Sequence, residues 1–166
     1  PIRDEAGRVT HFVAVKEDVT EKLRAQATLQ EARERLQRAV TAGNIALWEW
    51  NLATESVLYS AEWMEQIGME PVEVVDSIKD WFQRVHPEDI GPLQKTLNDC
   101  VNEPWRRFQK EFRIHRVDGE IRWILLGAAA VADDSGLPSR IIGTNIDITD
   151  RKRLELEFQQ AQKMES

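Results

Sequence analysis

The sequence predicts an α+β fold with an antiparallel sheet, and three features carry that prediction. Residues 106–131 alternate apolar and polar side chains on either side of Asp118-Gly119, a dipeptide suited to a tight hairpin turn. Residues 61–103 instead carry helical spacings, broken by Gly68, Pro87 and Pro92. The third feature is a stretch at 140–158 that begins as a strand and continues directly as a helix. Its first half, to Ile148, is rich in β-branched residues and follows an Asp133-Asp134-Ser135-Gly136 turn. In its second half and just beyond, Leu154, Phe158 and Ala161 recur four and three residues apart, on one helical face.

The junction inside that stretch has the chemistry of a helix start. Asp147 or Thr149 can cap free backbone N–H groups, and Asp150 sits where the helix dipole favours an anion. Arg151 follows Asp147 by four residues, so the two are expected to pair. Asp147, Thr149, Asp150 and Arg151 are therefore the candidate signal junction, the cluster that sets the angle at which the helix leaves the sheet. The same pattern occurs earlier in the chain. A shift of 129 residues superposes Asp4 on Asp133, Gly7 on Gly136, Asp18 on Asp147 and Thr20 on Thr149. Val13, Val19, Glu21 and Lys22 then meet Ile142, Ile148, Asp150 and Arg151. A repeat of this period indicates an array of domains, so residues 1–20 read as the last strand of an upstream domain. With no sheet of its own, the strand at 9–15 is expected to add to a sheet edge of another chain, or to extend the linker.

Between the two junctions the elements follow in order. Residues 21–42 are rich in Ala, Glu, Gln, Leu and Arg and hold neither Gly nor Pro, so they form a linker helix. Along it Leu29, Ala32, Leu36 and Ala39 are spaced 3-4-3, a coiled-coil-like seam on which a parallel homodimer is expected. Gly43-Asn44 stops the helix. Residues 45–51 and 57–60 read as paired strands. Short helices follow at 61–68, ending in glycine, and at 78–85, with Trp81, Phe82 and Val85 on one side. Pro87, Glu88 and Asp89 have the makeup of a helical first turn, while Pro92 is expected to force a restart of the helix that runs to Val101. In the 106–131 hairpin a two-residue turn would place Ile114 opposite Trp123 and Phe112 opposite Leu125. The returning strand is apolar on both faces, so both need cover. The helices of 61–103 supply one cover, and the linker helix or a second subunit the other.

Composition narrows function by exclusion. The 166 residues carry a formal net charge of −7, which argues against nucleic acid or an anionic membrane surface as partner. A single cysteine rules out an internal disulfide framework and fits a reducing compartment, hence a cytoplasmic location. The longest apolar run, 124–132, is too short to cross a bilayer. Because the chain starts at Pro1 without methionine, it reads as part of a longer parent, which could itself be membrane-anchored. No phosphate-cradling glycine loop, nucleophile–base pair or metal-ligand spacing is present, so no catalytic or metal site is expected.

Residues 112–123, Phe-Arg-Ile-His-Arg-Val-Asp-Gly-Glu-Ile-Arg-Trp, resemble the paired strands near the end of a PAS domain. Asp147-Ile148-Thr149 resembles the closing Asp-x-Thr signature of that family's PAC motif. Trp81-Phe82-x-x-Val85-His86-Pro87-Glu88-Asp89 is similar to its mid-domain pattern. The resemblance covers residues 43–150 and implies a five-stranded antiparallel sheet with helices on one face, used for sensing and dimerisation. The tail at 158–166 resembles the segment leading into the phosphoacceptor helix of bacterial sensor histidine kinases, and it holds no histidine. The organisation expected is residues 1–20 from an upstream PAS domain, 21–42 a linker helix, 43–149 the PAS sensor, and 150–166 an output helix leading to a kinase outside this chain.

The resemblance implies a non-enzymatic sensing and dimerisation module of a two-component system, cofactor-free or holding an unknown small molecule. The alternative is a flavin- or haem-holding light, redox or gas sensor. Light-sensing members carry Asn-Cys-Arg-Phe-Leu-Gln, whereas this chain has Asn98-Asp99-Cys100-Val101-Asn102, so Cys100 is expected to be a buried or idle thiol. His86, ahead of Pro87, suits a helix cap or packing better than haem ligation, and His11 and His115 are expected at the surface. The six tryptophans are expected to anchor core and interface.

Overall fold

The computed structural model describes residues 1–14, 16–71 and 74–166, and the chain forms two compact units, Pro1–Arg38 and Ala39–Ser166. In the first unit β1 (Ile2–Arg3) and β2 (Val9–His11) form a two-stranded sheet, with Ile2 opposite His11 and Arg3 opposite Val9. The strand expected to seek a foreign sheet edge therefore finds a partner in its own chain. Val15, the far end of that expected strand, lies outside the described residues. A local turn explains the pairing. The Asp4 carboxylate accepts the backbone N–H groups of Ala6 and Arg8, both at 3.0 Å. Gly7 takes a φ of +80°, which costs a side-chain-bearing residue. Helix α1 (Thr20–Ala42) follows, and of its residues only Val40, in the last turn, is buried.

The second unit holds β3 (Ile45–Asn51), β4 (Ser56–Tyr59), α2 (Ala61–Gln66), β5 (Val74–Ser77), α3 (Ile78–Arg84) and α4 (Pro87–Asn102). Then come β6 (Arg107–His115), β7 (Ile121–Ala132), β8 (Pro138–Asp147) and α5 (Thr149–Glu165). Its sheet is antiparallel with order β5-β4-β3-β8-β7-β6, one strand more than expected. The extra strand, β5, lies in a region expected to hold only helices and turns. Its two β-branched residues pair with Leu58 and Tyr59 at the sheet edge, too short a run to show alternation. Ser77 ends it and caps α3 by accepting the Lys79 N–H at 3.2 Å.

The core lies between one face of this sheet and helices α2 to α4. Trp48, Trp63, Trp81, Leu93, Leu97, Phe112, Ile124, Leu126 and Ile141 are all buried there. Trp81 is central, with its ring centroid 6.4 Å from Trp48 and 5.8 Å from Phe112. Trp48 lies over Gly143, where a Cβ would come within 2.3 Å of the indole. Three tryptophans are thus buried in the core and Trp50 packs against it, but Trp105 is 81% exposed on the loop before β6. A polar group is buried with them. The Trp48 indole N–H donates to the side-chain oxygen of Asn145 at 3.1 Å, and the Gln66 amide donates to the backbone oxygens of Asn44 and Asn145.

Three further expectations about this unit need correction. The β6–β7 hairpin pairs Phe112 with Ile124 and Ile114 with Arg122, one residue away from the expected register. The loop has three residues: Arg116 N–H donates to the Glu120 carbonyl, and Gly119 closes the turn with a φ of +85°. Since side chains alternate between faces, that register gathers Phe112, Ile114, Ile124 and Leu126 into the core and leaves Trp123 and Leu125 on the opposite face. Helix α4 also runs unbroken through Pro92. The proline removes one backbone hydrogen bond, to Glu88, in the exposed first turns where the freed carbonyl can meet water. His86 caps this helix, its Nδ1 accepting the Glu88 N–H at 3.2 Å. Its ring stacks on His115, which is therefore half-buried and not at the surface, while His11 is exposed.

Candidate functional site: the strand-to-helix junction

Asp147 is the last residue of β8, and Thr149 the first of α5. One Asp147 carboxylate oxygen accepts both the Thr149 N–H, at 2.9 Å, and the Thr149 hydroxyl. Asp147 thus satisfies a free N–H at the start of the helix, as expected. The hydroxyl in turn accepts the Trp123 N–H from β7 at 3.0 Å, and Ile148 N–H donates to the Trp123 carbonyl at 2.9 Å. Both backbone groups of Trp123 are therefore spent on the two residues that follow β8. The helix start is fastened to the beginning of β7.

Arg151 does not pair with Asp147. It bonds Glu111 of β6 and lies 3.5 Å from Glu155, while the partner of Asp147 is Arg122 at 3.5 Å. The physical reason is the position of Asp147. Its carboxylate is committed to Thr149 ahead of the first turn, facing β7 rather than the outer helix surface. Asp150 is exposed and interacts only with Arg153 among the described ion pairs. Sequence reasoning missed Glu111, Arg122, Trp123 and Lys152, which complete the cluster from β6, β7 and α5 itself. Lys152 also binds Glu111, and its ammonium lies 5.0 Å from the centroid of the Trp123 ring. Those two cations hold the Glu111 carboxyl below its usual range, the hydrogen bond from Lys152 first.

A second cation reaches the same indole. The Arg113 guanidinium lies 5.3 Å from the Trp123 centroid and is gripped by the first turn of α4. Asp89 accepts the Arg113 N–H at 2.8 Å and its Nε at 2.9 Å, and Glu88 accepts a guanidinium N–H at 2.9 Å. These bonds hold the Asp89 carboxyl below its ordinary value and raise Arg113.

The other expected sites are simpler. Leu29, Ala32, Leu36 and Ala39 are all exposed along α1. Cys100 is buried on α4, and burial pushes its thiol up to about 11. Beside Tyr59, Trp63, Asp76, Trp81 and Arg84 lies a cavity of about 20 Å³, room for one water. Among the described residues no group of three or more His, Cys, Asp or Glu could hold a metal ion, and no helix is long and apolar enough to cross a membrane.

A sheet with helices on one face, closing through Asp147-Ile148-Thr149 into an exposed helix, defines a sensory-domain architecture. The sequence profile of the PAS fold matches residues 56–145, and the chain belongs to that family. Over 164 residues it is 31% identical to the probable diguanylate cyclase DgcE of Escherichia coli, covering 98% of this chain and 15% of that protein. Over 166 residues it is 28% identical to a blue-light-activated histidine kinase of Brucella anthropi, covering 93% of this chain and 33% of that protein. The chain therefore spans well under half the length of these relatives. Among solved structures, a sensory box histidine kinase/response regulator from Burkholderia thailandensis superposes with a TM-score of 0.66 at 29% identity. That match covers 78% of this chain and 96% of the other. The chain contains a PAS sensory domain, a regulatory module.

Proposed function

We propose that this chain is the sensing and dimerisation module of a two-component sensor histidine kinase, itself without catalytic activity, that relays a conformational change through α5. The observation that carries the reading is the contrast within α5. Its first residues are fastened to β6 and β7, while no residue along its length is buried. A helix anchored at one end and uncovered beyond it transmits the attitude of the sheet to whatever it joins. The exposed seam Leu29, Ala32, Leu36 and Ala39 supports a parallel homodimer through α1. Residues 1–20, whose turn repeats that of 133–149, support an upstream PAS domain. The histidine kinase relative supports a kinase downstream, and the single cysteine supports a cytoplasmic location.

The blue-light activation in the Brucella relative's name also favours the light-sensing form of the second reading, a sensor holding flavin or haem. Against it, Trp48, Trp63, Trp81 and Phe112 are packed together between the sheet and the helices. The test is Asp147→Ala in the full-length parent. Autophosphorylation should change severalfold while dimerisation is kept, and unchanged output would refute the relay. A visible absorption band from the purified parent would instead establish the cofactor reading, and a cyclase activity would replace the kinase.

A further inference from the structure

A coupling element must link the helical layer to the output helix, and one side chain here stands between a residue bonded to α4 and a residue of α5. Trp123 sits on the face of the sheet away from the core, with Arg113 directly opposite it on β6. Four hydrogen bonds hold Arg113 to Asp89 and Glu88, through its backbone N–H and its guanidinium. Those two acids form the first turn of α4, whose other side buries Leu93, Leu97 and Cys100 in the core. His86 N–H also donates to the Arg113 carbonyl at 2.8 Å, so the edge of β6 and the start of α4 are joined through backbone as well as side chain. Beyond the indole, Lys152 belongs to the first turn of α5, with its N–H on the Ile148 carbonyl and its ammonium on Glu111. Two cations, one from β6 and one from α5, therefore share one aromatic ring whose backbone is bonded to the junction.

We propose that Arg113, Trp123 and Lys152 form a latch that couples the start of α4 to the start of α5, with Trp123 as the positioning residue between them. The proposal rests on the relay reading above and names its physical path. Cation–π attraction depends steeply on the distance of the cation from the ring face. When the first turn of α4 shifts against the sheet, Asp89 and Glu88 draw Arg113 with it. The indole then rebalances toward Lys152 or away from it, and the first turn of α5 tightens on β7 or loosens. A side chain poised between two such partners is what lets a small movement be passed on.

Hydrogen–deuterium exchange on the 166-residue chain tests the latch. Arg113→Gln should speed exchange of the amides at 150–156 by about threefold, the factor corresponding to one exposed cation–π contact. Lys152→Met should do the same. In a Trp123→Leu background Arg113→Gln should add nothing at 150–156. A change confined to α4 and β6 would overturn the proposal, as would equal effects with and without the indole. Should Arg113→Gln fail to fold by circular dichroism, Asp89→Asn loosens the grip while leaving the guanidinium. It should raise exchange in the same segment, and no rise there overturns the latch. The exchange readout needs no kinase, so a failed latch is told apart from a failed relay, which shows only in the parent's output.

Discussion

The two turn-and-cap segments of this chain, one ahead of α1 and one ahead of α5, are built alike and held differently. Asp4 and Asp133 each accept two backbone N–H groups, from residues two and four ahead, and Gly7 and Gly136 take φ values of +80° and +81°. Ile2 faces His11 and Arg3 faces Val9. Val131 faces Arg140 and Ala132 faces Pro138 in the equivalent positions, with the same interruption of register. Asp18 accepts the Thr20 N–H at 3.0 Å, and Asp147 the Thr149 N–H at 2.9 Å. There the likeness ends. Asp18 and Thr20 are exposed, whereas Asp147 and Thr149 are half-buried against Trp123 and Arg122. Turn and cap are local and recur wherever the residues recur. The direction of the helix is decided by what stands beside it.

The largest test of this difference is Trp123→Ala, which removes the brace and leaves both caps intact. Unfolding of residues 39–166 should lose about 2–3 kcal/mol, below the cost of a fully buried tryptophan. Unchanged denaturant midpoints would mean that the second junction is no better held than the first. Next comes the matched pair Asp147→Ala and Asp18→Ala. The first should cost about 1–2 kcal/mol in the melt of the second unit, because it also takes one of two carboxylate partners from Arg122 and the acceptor from the Thr149 hydroxyl. The second should reduce helical ellipticity at the start of α1 and leave that melt alone, so equal shifts in the main transition would erase the distinction. Gly7→Ala and Gly136→Ala sharpen the likeness instead. Each should cost about 1 kcal/mol locally, since both need a left-handed backbone.

Acidification should show the smallest effect. Glu111 and Asp18 both titrate below their ordinary values, 4.5 and 3.8, so each favours the folded form when ionised. Their contribution is present above those values and is lost as pH falls through the lower folded ones. For Glu111 the loss is under about 1 kcal/mol, as expected of an exposed pair, and it appears as loosening of α5 from β6. For Asp18 it appears as fraying of α1 only. Amide chemical shifts followed from pH 5 to 2 check both, and a Glu111→Gln variant that loosens with the wild-type pH profile would exclude Glu111 as the cause.

What was legible from residues alone was what neighbours in the chain decide. The Asp133 turn, the Asp147 cap, the start of α4 at His86-Pro87 and the helix of 20–42 each rest on contacts within a few residues, so composition and spacing suffice. The apolar alternation of β6 and β7 likewise announced the sheet and the core it covers. Tertiary structure decided everything that required knowing who stands opposite. A three-residue loop instead of two moved every pair of the β6–β7 hairpin by one position, and with it brought Arg113 opposite Trp123. Arg151, expected on Asp147, went to Glu111 because β6 lies within reach of α5, forty residues away in the chain. Ion pairs between distant segments leave no periodic trace in sequence, since charge attraction depends on distance in space and not on separation along the backbone.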